Sequence, residues 1–266
     1  HRDLHSFPTR RSSDLMVFLM FFSTDGPGDL IFLTWTPETE QETDTLQIRK
    51  GYRQIADCLL SKRAVLLHER IYGNARISSS TLELRNTVYR ENDVKTEIPP
   101  TFVEGTPCNG YAVAGIHAVA IQQYPDPEPP VVRWKNRPCG RALRGQDADY
   151  LALSDVGSLV RQVGKETPGE ETRKTFAVVE EVLNQSQWTF HDVRRTWFYL
   201  QNILDWYNEF NQIRNTAFKH LGILNGNPLG AIPASTGIQG RNADGGWCTL
   251  DLLAIRAVPG QSIETR

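Results

Sequence analysis

The segment from Val193 to Phe218, VRRTWFYLQNILDWYNEFNQIRNTAF, constrains the fold more than any other. Val193 to Leu200 is rich in β-branched and aromatic residues and predicts a strand. Ile203, Trp206, Tyr207, Phe210, Ile213, Arg214 and Phe218 then recur at helical spacing. A strand runs straight into an amphipathic helix.

The rest of the chain repeats that plan. Strands are predicted at Met16 to Phe22 and Asp29 to Thr36, around a turn on Thr24-Asp25-Gly26-Pro27-Gly28. Gln41 to Leu60 predicts a helix and Ala64 to Tyr72 a strand. Gly73 to Pro100 is polar, with weak signals that leave room for a helix. Phe102 to Cys108 and Tyr111 to Gln122 read as strands, the second central because both of its faces are small or apolar. Tyr124 to Pro130, YPDPEPP, reads as a linker. Beyond it, short strands are expected at Tyr150 to Leu153 and Leu159 to Val163 and a helix at Glu170 to Asn184. After the opening segment come a loop from Gly222 to Gly230 and strands at Ala231 to Ile238 and Trp247 to Val258. Each half thus holds a helix, a strand, a variable segment and a strand pair, with GIHAVAI echoing DLLAIRAV and FVEGTPC echoing IPASTGI. An internal duplication follows. The expected class is α/β, as two tandem halves, each a mixed or antiparallel sheet with helices on one face.

Composition narrows the function. Hydrophobic residues at 39% and charged residues at 23% fit a soluble globular protein, and a net charge of -2 gives no general attraction to nucleic acid or an anionic membrane. Cys58, Cys108, Cys139 and Cys248 are scattered without a CxxC, so free thiols in a reducing, cytoplasmic setting are expected. The six histidines form no HxH, their one HxxxH spacing, His1 with His5, lies within the first fifteen residues, and neither GxxxxGK[ST], GxGxxG after a strand nor GxSxG occurs. No metal, nucleotide or other organic cofactor is expected. Residues 1 to 15, HRDLHSFPTRRSSDL, resemble translated adapter sequence ahead of Met16 and are set aside.

The Arg195-Thr196 pair in the strand and Phe210-Asn211 in the helix resemble the central unit of the Rid superfamily, the reactive intermediate deaminases and their relatives. LSDVGSL, TRKTFAVVEEVL, PASTGI and TLDLLAI extend the resemblance over residues 140 to 258. A Rid domain behind a divergent copy of itself resembles the chorismatases, which split chorismate into pyruvate and a cyclic acid. The divisions expected are a leader at 1–15, an N-terminal domain at 16–123, a linker at 124–139, the Rid-like domain at 140–258, and at 259–266 the start of a truncated C-terminal segment. The resemblance implies a homotrimer acting on a small-molecule carboxylate without a cofactor.

Two departures count against deamination. Ser235 follows Pro233-Ala234 where Rid deaminases place a carboxylate-binding Arg, and Leu253 stands where they place a water-positioning Glu. Chorismate carries two carboxylates, and guanidinium suits them. The candidate substrate-binding residues are therefore Arg195, Tyr199, Arg214 and Ser235, with Arg133, Arg137, Arg141 and Arg144 crowding the start of the second half. Glu104, in FVEGTPC, is the candidate catalytic acid. His117, Cys108 and Cys248 read more simply as core or strand-end residues. The leading expectation is a chorismatase-like lyase or hydrolase. The alternatives are a Rid-type enamine or imine deaminase, a small-carboxylate binder, and a non-catalytic interaction protein.

Overall fold

The computed structural model describes residues 20–21, 30–37, 43–95, 97–105, 107, 111–122, 130–145, 148–162, 164–224 and 232–258. The leader, the start of the first predicted strand, Cys108, positions 124–129 of the predicted linker, positions 225–230 of the predicted loop and the segment at 259–266 lie outside the described residues.

In the first half, β1 (Met20–Phe21), β2 (Leu30–Trp35), β3 (Ala64–Gly73), β4 (Thr101–Glu104) and β5 (Val113–Gln122) form one sheet in the order β1-β2-β5-β3-β4. Helix α1 (Asp44–Ser61) is capped by Thr43, and α2 (Ser78–Glu91) fills the polar segment that carried weak signals. Helix α2 is hard to read because its apolar stripe is broken by Arg85, whose buried guanidinium meets Glu69 of β3 at 2.8 Å instead of joining an oily seam. Strand β5 is central, as its two apolar faces predict.

The second sheet runs β10-β9-β11-β8-β7-β6. It contains β6 (Val131–Trp134), β7 (Arg137–Arg144), β8 (Ala148–Leu153), β9 (Val193–Leu200), β10 (Ala234–Gln239) and β11 (Cys248–Ala257). Sheet structure therefore begins at Val131, inside the stretch expected to be a linker. The turn between β6 and β7 is Lys135-Asn136, with both residues at positive φ, 47° and 65°. That backbone is the one a two-residue hairpin needs, but Lys-Asn carries it less legibly than Asn-Gly. The strand expected at Leu159 to Val163 is instead a short helix, α3 (Val156–Val160). Five residues are too few to display a helical period.

Helix α4 (Pro168–Gln185) starts with a full capping box, Thr167 with Glu170, and α5 (Ile203–His220) follows β9 as the aromatic spacing predicts. Both pack on one face of their sheet around Phe198, whose ring lies 5.7 Å from Phe176 and 5.1 Å from Phe210.

The duplication is visible in the pairing. Strands β3 and β4 are parallel, as are β9 and β10, while β5 and β11 run antiparallel to β3 and β9. Gly73 pairs with Glu104 as Leu200 pairs with Gln239, and Tyr72 pairs with Gly115 as Tyr199 pairs with Thr249. Glu104 therefore corresponds to Gln239 and Tyr72 to Tyr199. Strand β4 matches Thr236 to Gln239, so the echo between FVEGTPC and IPASTGI is out of register. Short motifs rich in small residues slide easily along one another.

The two sheets turn their helix-free faces to each other. Leu67 and Ile121 of the first half pack with Leu143, Ala148, Tyr150 and Ala152 of the second in one buried cluster, with Leu253 and Ile255 against it. The layers run helix, sheet, sheet, helix. Close backbone approach in the second sheet needs Gly140, where an added Cβ would stand 2.1 Å from the Ala152 carbonyl oxygen. Gly140→Ala is expected to cost about 1–3 kcal/mol through overpacking, read from urea unfolding.

Candidate functional site between the halves

Strand alternation decides which side chains meet. On β3, His68, Arg70 and Tyr72 face the second half, and on β9, Arg195, Trp197 and Tyr199 face the first. The Arg70 guanidinium lies 3.9 Å over the Trp197 ring, and His68 stacks on the same indole at 5.9 Å. The equivalent tyrosines meet, their hydroxyls 3.5 Å apart. Burial, then the Asp251 charge, pushes the Tyr199 phenol far above its ordinary range, so it stays neutral.

Asp251 of β11 holds the halves together. It is fully buried and accepts from Arg70 Nε at 2.9 Å, from the Thr101 hydroxyl at 2.5 Å and from the Asp155 backbone N–H at 2.9 Å. His68 Nε2 also lies 3.0 Å from the carboxylate, although not aligned as a hydrogen bond. Burial alone would raise the Asp251 carboxyl, but His68, Arg70 and Thr101 together hold it well below the usual range. Every oxygen of this group is engaged, which makes it a clamp and not a reagent.

Asp155 is tuned the other way. Its carboxyl accepts from Thr249 at 2.8 Å and from Asn242, and burial pushes it up to about 7 against the pull of Arg161 and Thr249. The folded state therefore keeps a proton that the unfolded chain loses near pH 4, and stability falls as pH rises from about 4 to about 7. Asp155→Asn is expected to remove that slope in urea unfolding measured across the same range. Asp251, depressed when folded, acts only below about pH 4, where acid removes its contribution.

Where the strands of both halves end, a cleft of about 310 Å³ opens, lined by Asn74, Glu104, Gly105, Gln201, Asn202, Gln239, Gly240 and Arg241. Glu104 and Gln239 are duplicated positions, and the two residues face one cleft. Both Glu104 oxygens are bound by Arg241, through Nε and, at 3.1 Å, through Nη2. The Glu104 backbone N–H also donates to the Arg241 carbonyl at 2.7 Å. Glu104 and Arg241 are the charged residues of this lining. Gln239 accepts from the Ile203 N–H at 2.8 Å and so steadies the start of α5, whereas Asn202 makes no capping bond.

The candidate residues named from sequence divide. Glu104 lines the cleft. Tyr199 and Arg195 lie on the inner face, Tyr199 beside Gly240 of the cleft and Arg195 farther back along β9, donating to the Thr236 hydroxyl at 2.7 Å. Ser235 pairs with Thr196 and so occupies the opposite, helix-bearing face, exposed to solvent. Arg214 stands on α5, on that same side, 5.7 Å over Phe210. The sheet separates Arg214 and Ser235 from Arg195, so the expectation that these residues bind one ligand together is corrected for a single subunit. Arg133 meets Glu97, and Arg137 holds the Leu159 carbonyl at 3.0 Å, both structural tasks. Burial pushes the Cys248 thiol up to about 12, which leaves it a core residue.

Sequence reasoning missed Arg241, Arg70 and Asp251. Charged residues set inside otherwise apolar strands, HER in AVLLHERIY and Asp in TLDLLAI, were the available signal for a buried polar seam. Arg241 had no local signal.

A second hollow, about 490 Å³, lies outside between α4 and α5 along Phe176, Ile213 and Leu221. Among the described residues no group of three or more His, Cys, Asp or Glu could hold a metal ion, and no helix is long and apolar enough to cross a membrane.

A crystal structure of a chorismatase superposes on 85% of this chain and 74% of its own, with a TM-score of 0.52 and 12% identity. The fold is chorismatase-like. Two smaller structures match less closely, over about half of this chain. A YjgF-family protein from Neisseria meningitidis has a TM-score of 0.36 and 18% identity, covering 48% of this chain and 95% of its own. TdcF from E. coli, crystallised with bound serine, has a TM-score of 0.37 and 12% identity, covering 48% and 98%. No protein-family model and no curated protein matches the sequence. In this chorismatase-like fold the polar cleft lies where the two duplicated copies meet.

Proposed function

We propose that the chain releases pyruvate from chorismate or a similar enol-pyruvyl cyclic carboxylate in the cleft between the halves. The observation that carries this reading is the placement of one acid, Glu104, and one guanidinium, Arg241, in an otherwise uncharged cleft of a chorismatase-like fold. Arg241 takes a substrate carboxylate and Glu104 protonates the methylene carbon of the enol ether. The resulting oxocarbenium carbon adds water, and collapse of the hemiketal expels pyruvate and leaves the ring hydroxyl. Tyr199 stands behind the cleft, beside Gly240, where a neutral phenol suits an acidic ring.

Assembly as a homotrimer fits the edge strand β10, which is exposed along most of its length beside Ile232 and Ile238. Free thiols at Cys58, Cys139 and Cys248 fit a reducing, cytoplasmic setting.

The test is pyruvate formation on incubation with chorismate. Pyruvate supports the reading. Ammonia from 2-aminoacrylate with no pyruvate replaces it with a Rid-type deaminase, and silence in both assays leaves a binding protein.

A further inference from the structure

The two inter-half ion pairs are built differently. Arg70–Asp251 is closed on every side, its carboxylate fully buried and bound by two further donors, the Thr101 hydroxyl and the Asp155 N–H. Arg241–Glu104 stands in an open cleft, its side chains 43% and 22% exposed, and holds together through a two-bond fork that solvent reaches. Solvent screens an ion pair of the second kind, which is held less firmly than a fully buried one. A free carboxylate presents the same two oxygens to the guanidinium fork as Glu104 does.

We infer that an incoming cyclic carboxylate displaces Glu104 from Arg241, and that the released Glu104 takes up a proton from solvent and becomes the acid of the site. The inference rests on the functional reading above and adds to it how the acid is charged. In the resting protein Glu104 is an ionised partner of Arg241 and has no proton to give. Once Arg241 turns to the ligand, the other described residues lining the cleft, among them Asn74, Gln201, Asn202 and Gln239, carry no charge, and the hydroxyls of Tyr72 and Tyr199 meet in the seam beneath. A half-buried carboxylate without its counter-charge binds a proton more readily. Binding and proton uptake are then one event, and the acid is armed only when substrate is present. The duplicated position, Gln239, cannot ionise, so the cleft carries a single proton carrier.

The experiment is titration calorimetry with an unreactive cyclic carboxylate, 3-hydroxybenzoate, at pH 7 in buffers of different ionisation heat. The wild-type chain should bind it and take up a proton, at most about one per ligand by linkage. Glu104→Gln should bind at least as tightly with no uptake, since the competing carboxylate is gone. Arg241→Ala should lose binding, and Arg241→Lys should recover only part of it because the fork is lost. Circular dichroism confirms that each variant is folded. Absence of binding by the wild type, binding without proton uptake, uptake that persists in Glu104→Gln, or unchanged binding by Arg241→Ala each overturns the exchange. Pyruvate release without these heats removes the exchange and keeps the function, whereas the heats without pyruvate do the reverse.

Discussion

Asp251→Ala is expected to destabilise the protein by about 3–5 kcal/mol, measured by urea unfolding at neutral pH. The substitution strands Arg70 in a buried seam with its Nε unpaired, and removes the acceptor used by Thr101 and by the Asp155 N–H. Asp251→Asn should cost less, because an amide oxygen still accepts from two of those donors while the charge is lost. Replacing both members of the pair together, Arg70→Met with Asp251→Leu, should recover most of the loss, since well-packed apolar residues commonly match a buried ion pair. If Asp251→Ala unfolds with wild-type stability, the seam is not what holds the halves face to face.

Glu104→Gln is expected to lower pyruvate release by about 10²–10⁴-fold, the range general acid catalysis supplies, with little change in the unfolding midpoint. The two effects separate because Glu104 lies in an open cleft and bonds a half-exposed arginine. A purely structural Glu104 would give the opposite pattern, with stability lost and turnover per folded molecule kept.

The architecture was legible where the sequence repeats itself. Apolar spacing in α5, the all-apolar faces of β5 and the recurrent order of helix, strand and strand pair predicted two related halves, and the strand registers carry that duplication residue by residue. The hairpin of β6 and β7 was missed, and helix α2 was only weakly signalled, for physical reasons. A Lys-Asn turn needs positive φ at residues that seldom announce it, and Arg85 buries its charge on an apolar stripe by pairing with Glu69. The site was legible in part. Glu104 was visible as an acid beside a glycine at a strand end, but its partner Arg241 lies 137 positions away in the chain, and only folding brings them together. Ser235 and Arg195 were both named as substrate-binding candidates, whereas the parallel register of β9 and β10 puts them on opposite faces.

The account rests on the cleft at the meeting of the two copies being the place where an acidic ring compound binds. A crystal of this chain soaked with 3-hydroxybenzoate tests that directly, by the position of the new electron density. The account requires the carboxylate on Arg241, among Asn74, Gln201, Asn202 and Gln239, with Glu104 turned away from it. Density only in the outer hollow between α4 and α5, or an undisturbed Arg241–Glu104 pair with ligand bound elsewhere, would contradict it.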